Sequence, residues 1–134
     1  MSYDLMIFAP ESAPQGNEAF MEWYEDQTEW AEEHSYNDPA VTTPALRAWF
    51  LEMIQSFPAM NGPFASDDES SVTDYSVGRA VIYAIFAWSK AEQAYQAMFR
   101  LAGKHGVGLF NASSDSSEVW LTDGKGGLSL AHSR

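Results

Sequence analysis

The chain has 134 residues, 46% of them hydrophobic and 14% aromatic, no cysteine, and a formal net charge of −12 from 19 acids against seven bases. That length suits one domain, and the apolar content suffices for one packed core, so composition excludes a wholly disordered chain. The absence of cysteine removes disulfides, thiolate metal sites and cysteine nucleophiles, while the excess negative charge opposes binding to nucleic acid or anionic lipid.

The opening Met1-Ser2-Tyr3-Asp4 lacks the basic segment of a secretion signal. No apolar run approaches the roughly 20 residues that span a bilayer, and the expected location is the cytoplasm. Residues 2–8 alternate Tyr3, Leu5 and Ile7 with Asp4, Met6 and Phe8, which predicts a first strand ended by Pro10 and Pro14. Over residues 17–33 the apolar Phe20, Trp23, Tyr24, Trp30 and Ala31 recur at helical spacing. Glu22, Glu25, Asp26, Glu29, Glu32 and Glu33 fall on the opposite side, so the pattern predicts an amphipathic helix with one strongly acidic face. Thr28 sorts onto neither side and marks where the register could break.

Thr43 before Pro44 supplies an N-cap hydroxyl and a proline at the first helical position. The stripe Leu46, Trp49, Phe50, Met53, Ile54 and Phe57 then predicts a second helix that Pro58 stops. Residues 58–71 carry no periodicity and read as a surface loop, with Asp67, Asp68 and Glu69 as a second acidic patch. Residues 73–77 and 80–86 flank Gly78-Arg79 and predict a hairpin, its first strand an edge and its second central because it is apolar on both sides. Ser89 and Glu92 have the spacing of a capping box and open a third helix, with Lys104 and His105 suited to its C-terminal end and Gly106 to its C′ position. Short strands follow at residues 107–111, 118–121 and 128–131, and residues 132–134 are expected to be a loose tail.

The order β, α, α, β, β, α, β, β, β contains the split βαβ pattern once one helix and the last two strands are set aside. It predicts a single α+β domain over residues 1–134. Its sheet should be mostly antiparallel with helices packed on one face, a ferredoxin-like variant with an extra C-terminal hairpin.

Chemistry-bearing motifs are few. His34, His105 and His132 stand at helix ends and in the tail, and the serines at 113, 114, 116 and 117 lie in no nucleophile elbow. No catalytic residue is assigned. The acids are hard-cation ligands in type, yet no calcium-loop spacing encloses an ion, so neither a metal nor a cofactor is expected. Asp123-Gly124-Lys125-Gly126-Gly127 lacks the phosphate-loop spacing and has no following helix, and reads as a hairpin turn. Trp23, Trp30, Trp49 and Trp88 suit a core, and Trp120 is the tryptophan expected to be partly exposed.

The segments Met1-Ser2-Tyr3-Asp4-Leu5, Phe20-Met21-Glu22-Trp23-Tyr24, Tyr36-Asn37-Asp38-Pro39-Ala40-Val41, Asp74-Tyr75-Ser76-Val77-Gly78 and Lys104-His105-Gly106-Val107-Gly108 resemble a family of small uncharacterised bacterial proteins. In size, charge and style the chain also resembles the immunity proteins that neutralise bacterial polymorphic toxins. That resemblance implies a non-enzymatic inhibitor that plugs the cationic cleft of a toxin. Its partner-binding residues would be Glu22, Glu25, Asp26, Glu29, Glu32 and Glu33, with Asp67, Asp68 and Glu69 as the second patch. Two other readings stay open: a small enzyme or ligand-binding domain with an aromatic-lined pocket between helices and sheet, and a homo-oligomeric scaffold.

Overall fold

The computed structural model describes residues 2–67 and 72–133. Strands β1 (Ser2–Phe8), β2 (Asp74–Val77), β3 (Val81–Ala87), β4 (Gly108–Phe110), β5 (Val119–Thr122) and β6 (Leu128–His132) are joined by helices α1 (Asn17–Gln27) and α2 (Pro44–Met53) between β1 and β2, and α3 (Ala91–His105) between β3 and β4. The six strands form one antiparallel sheet in the order β2-β3-β1-β4-β5-β6. The domain is α+β, as its pattern predicts. β3 lies between β1 and β2, and β1 lies between β3 and β4, so each helical connection skips one strand as a split βαβ order requires. The last hairpin extends the sheet beyond β4.

β1 explains why both faces of the sheet are covered. Its alternation sends Leu5 and Ile7 into a core with Trp49, Phe50 and Met53 of α2 and Met98 and Leu101 of α3. The intervening Met6 and Phe8 enter a second core with Phe20, Val81, Phe110 and Val119, against which Trp23 and Tyr24 of α1 pack. α2 and α3 therefore share one face, and α1, the helix that the split βαβ pattern leaves over, lies on the other. A sheet helical on one side alone would leave Met6 and Phe8, which are fully buried, in water.

Several local signals work as read. Thr43 Oγ1 accepts from Leu46 N at 3.3 Å to cap α2, and Gly106 adopts the left-handed conformation (φ 69°) that ends α3. Others do not. α2 stops at Met53, and the chain reaches Phe57 through turns. Ser89 forms no capping box, because residues 88–90 make a short 3-10 turn and α3 begins at Ala91 without a side-chain cap. His132 is not in a loose tail: it ends β6, and its ring stands edge-on to Phe20 at 5.7 Å. Trp120 is partly exposed, as expected, with its ring edge-on to Phe99 at 5.2 Å, whereas Trp88, expected in the core, is 52% exposed.

Two glycines mark close approaches. The glycine-rich turn at 123–127 presses on α3, where a Cβ on Gly103 would meet Gly126 O at 2.8 Å. On β4, a Cβ on Gly108 would lie 2.3 Å from the ring of Phe8, its register partner on β1. Phe8 cannot yield easily, since Phe20 and Trp23 pack against its ring at 5.1 and 5.9 Å. Gly108→Ala is therefore expected to cost about 1–3 kcal/mol by overpacking, read from urea denaturation as a lower midpoint. An unchanged midpoint would mean that the Phe8 ring has room to move.

Candidate functional site

The acidic surface is built on α1. Gly16 (φ 90°) turns the chain into the helix, and Phe20, Trp23 and Tyr24 bind it to the sheet through Phe8 and Phe110. Glu18, Glu22, Glu25 and Asp26 are left on the solvent side, all exposed. The helix ends at Gln27. Thr28 Oγ1 and Thr28 N both bond back to Tyr24 O, at 2.9 and 3.0 Å, a side-chain competition that helps to terminate a helix. The expected single helical face from Glu22 to Glu33 is thus corrected: Glu29, Glu32 and Glu33 lie in the turns that follow. Ending there removes the like-charge i, i+4 pairs Glu25–Glu29 and Glu29–Glu33 that a continued helix would have imposed.

The segment after α1 is strapped to the β2–β3 turn. Trp30 adopts φ 54°, uncommon for a bulky side chain, and its ring meets Tyr36 at 5.1 Å and Tyr83 at 6.2 Å. Tyr36 Oη accepts from Glu32 N at 2.6 Å, and Tyr36 O accepts from Val77 N at 2.8 Å. Glu32 Oε1 accepts from Arg79 N at 3.0 Å and bonds to His34 Nε2. The result is a cleft of about 340 Å³ walled by Asp26, Gln27, Ala31, Glu32, Glu33 and Arg79.

Three of the predicted acids, Asp26, Glu32 and Glu33, therefore converge on one cleft. Glu22, Glu25 and Glu29 are exposed outside it. Asp67 is exposed in the loop after α2, and Asp68 and Glu69 lie outside the described residues. Glu22, Glu25, Asp26, Glu29 and Glu33 form no ion pair among the described residues. Two of the bases and one histidine are committed elsewhere. Arg47 donates to the carbonyls of Pro39, Ala40 and Thr42, and Lys104 and His105 bond to Glu52. Lys104 first and His105 second hold the Glu52 carboxyl below its ordinary range. Among the described residues no three histidine or carboxylate side chains come together as ion ligands.

Two arrangements carry no sequence motif. Asp4 Oδ2 accepts from Tyr83 Oη at 2.7 Å beneath α1, and burial, then that bond, pushes the Tyr83 phenol far up. Tyr24 adjoins it, also raised by burial. The link joins residues 79 positions apart, and only the antiparallel register of β1 and β3 makes them neighbours. The second is a cleft of about 380 Å³ with Pro10, Pro14, Phe20, Leu121 and His132 in its walls. It lies between the start of α1 and the last hairpin. Asn17 Nδ2 lies 3.4 Å from His132 Nδ1.

No helix among the described residues is long and apolar enough to cross a membrane. The chain matches no protein-family model, no curated protein and no solved structure.

His34 and His132 should titrate on opposite sides of their ordinary value of 6.5. The Ser35 carbonyl and then the Glu32 carboxylate favour charged His34, whereas burial disfavours charged His132. The His34 contribution to stability is present below 6.5 and is lost as pH rises through its raised pKa. The His132 group works the other way, losing stability as pH falls from 6.5 toward its lowered pKa. A histidine-ring NMR titration measures both, and Glu32→Gln is expected to bring the His34 midpoint down without moving that of His132.

Proposed function

We propose that this protein binds a basic protein through the acids of α1 and the turns after it, as an immunity-type inhibitor that occupies the cationic cleft of a toxin domain. The observation that carries the reading is the set Glu22, Glu25, Asp26, Glu29 and Glu33, all exposed and none ion-paired among the described residues. Their charge is not neutralised within the molecule, so its field extends into solvent, where it would steer a cationic surface toward α1. The cleft at Asp26, Glu32 and Glu33 offers a docking point for one basic side chain of the partner, held by carboxylates from two segments. Glu32 is oriented there by His34 and the Arg79 backbone, and the Trp30–Tyr36 contact anchors its segment. The role is stoichiometric and needs no turnover, and such an inhibitor would act in the cytoplasm.

The test is capture of a basic partner from the host at low salt, followed by association kinetics with the purified pair. The double variant Glu25→Lys/Glu29→Lys should retain the wild-type melting temperature and associate at least about tenfold more slowly at low salt, with the difference closing as salt rises. Unchanged kinetics would remove α1 as the docking surface.

A second reading, a ligand-binding domain, is favoured by the apolar cleft that contains His132, whose volume falls in the range of small-molecule sites. A ligand present at about a hundred times its dissociation constant would add about 2.7 kcal/mol of stability. A thermal-shift screen of metabolites reads that gain, and a flat screen would count against this reading.

A further inference from the structure

On the face of the sheet opposite α1, a third cleft of about 420 Å³ opens where β3 passes into α3. Its walls include the aromatic residues Tyr3, Trp88 and Tyr95, the acids Glu92 and Glu118, and Asn111. We propose that this cleft is a binding site for an organic cation of the alkylated ammonium type, held against the Trp88 and Tyr rings and neutralised by Glu92 and Glu118.

Trp88 is 52% exposed, although an indole is among the largest apolar groups a protein can bury. Its exposure does not come from a loose chain. Trp88 begins the 3-10 turn Trp88–Lys90, fixed between β3 and α3, and its ring stands edge-on to Tyr3 at 5.4 Å and 79°. Tyr3 is held by its place in β1, opposite Phe86, and Tyr95 is held on α3 with its ring 5.8 Å from Phe99. The aromatic walls are thus set before any ligand arrives, which lowers the ordering cost of binding.

The charge in the cleft has one sign. Glu92 and Glu118 form no ion pair among the described residues, and no lysine or arginine is among the cleft's walls. Arg100 belongs to the adjoining cleft with Trp120, and Lys90 is in the turn without entering the wall. The negative field reaches the rings. Burial first, and Glu118 after it, raises the phenols of both Tyr3 and Tyr95, with Asn111 offsetting part of the rise at Tyr3 by hydrogen bonding.

These features select the ligand class. An anion would be repelled by both carboxylates. A hard divalent ion requires six or more oxygen ligands in the case of calcium, or near-octahedral oxygens for magnesium, and the walls bring only two acids together among three aromatic residues. A neutral apolar molecule would desolvate Glu92 and Glu118 without compensation. A weakly hydrated alkylammonium satisfies both halves, its charge meeting the carboxylates and its methyl groups the ring faces. The site lies across the sheet from the acidic surface of α1 and does not depend on the function proposed for that surface.

Choline and its uncharged carbon isostere, 3,3-dimethyl-1-butanol, separate charge recognition from apolar contact. Each is titrated into the full-length protein while the indole N–H signals are followed by NMR, with Trp88 assigned from the spectrum of Trp88→Phe. Choline is expected to shift the Trp88 signal saturably, and the isostere to bind at least about tenfold more weakly. Trp88→Ala should lose about five- to thirtyfold in choline affinity, Trp88→Phe less, and Glu118→Gln should weaken binding while leaving the melting temperature unchanged. The proposal is overturned if choline gives no saturable shift, if the isostere binds equally well, or if Glu118→Gln and Trp88→Ala both leave choline binding unaltered. Trp88 is half exposed, so its variants keep the core and their folding is verified by the same spectra.

Discussion

β1 is paired along both edges and fully buried from Leu5 to Phe8, and the rest of the molecule is arranged by that demand. Four consecutive large apolar side chains on a strand must point two to each side, so neither face can be left to water. α2 and α3 meet Leu5 and Ile7, and α1 meets Met6 and Phe8. The central place of β1, between β3 and β4, follows from the same constraint, because an edge position would expose one row of its backbone groups. Gly108 then becomes necessary on β4, since the Phe8 ring fills the space where any side chain opposite it would stand.

Covering two faces with three helices divides the surface chemically. α1 is a single helix whose apolar side faces the sheet, and its outer side exposes Glu18, Glu22, Glu25 and Asp26 to water. Its acids are tolerated there because Phe20, Trp23 and Tyr24 supply enough aromatic burial to outweigh repulsions of a few tenths of a kcal/mol per pair. Beyond Thr28 the chain avoids further repulsion by leaving the helix. The turns then bring Glu32 and Glu33 around to Asp26, which a straight helix would not have made into a cleft. On the opposite face α2 and α3 share the load, tied to each other through Glu52, Lys104 and His105. The aromatic cleft opens there because the chain reverses from β3 into α3 over a single 3-10 turn, leaving Trp88 outside the core that Phe86 enters.

By itself the sequence determined the class of fold, most of the elements and the presence of an unbalanced acidic surface. Period-two alternation identified β1 and the β2–β3 hairpin, and the two-sided apolar character of residues 81–86 correctly placed β3 inside the sheet. Thr43 and Gly106 were legible because a cap depends on residues a few positions apart. Only the tertiary structure decided the rest. Ser89 and Glu92 had the spacing of a capping box, yet residues 88–90 form a 3-10 turn and the helix starts at Ala91 without a side-chain cap. Periodicity could carry the first helix to Glu33, whereas Thr28, Trp30 and Tyr36 ended it through contacts with Tyr24, Tyr83 and the β2–β3 turn. His132 was joined to Phe20 and Asn17 by the last hairpin folding back over the start of α1, and Asp4 to Tyr83 by strand register. Local spacing specifies local bonds; clefts form from groups far apart in the chain, and their neighbours are set by how buried surfaces pack, which no short stretch of sequence contains.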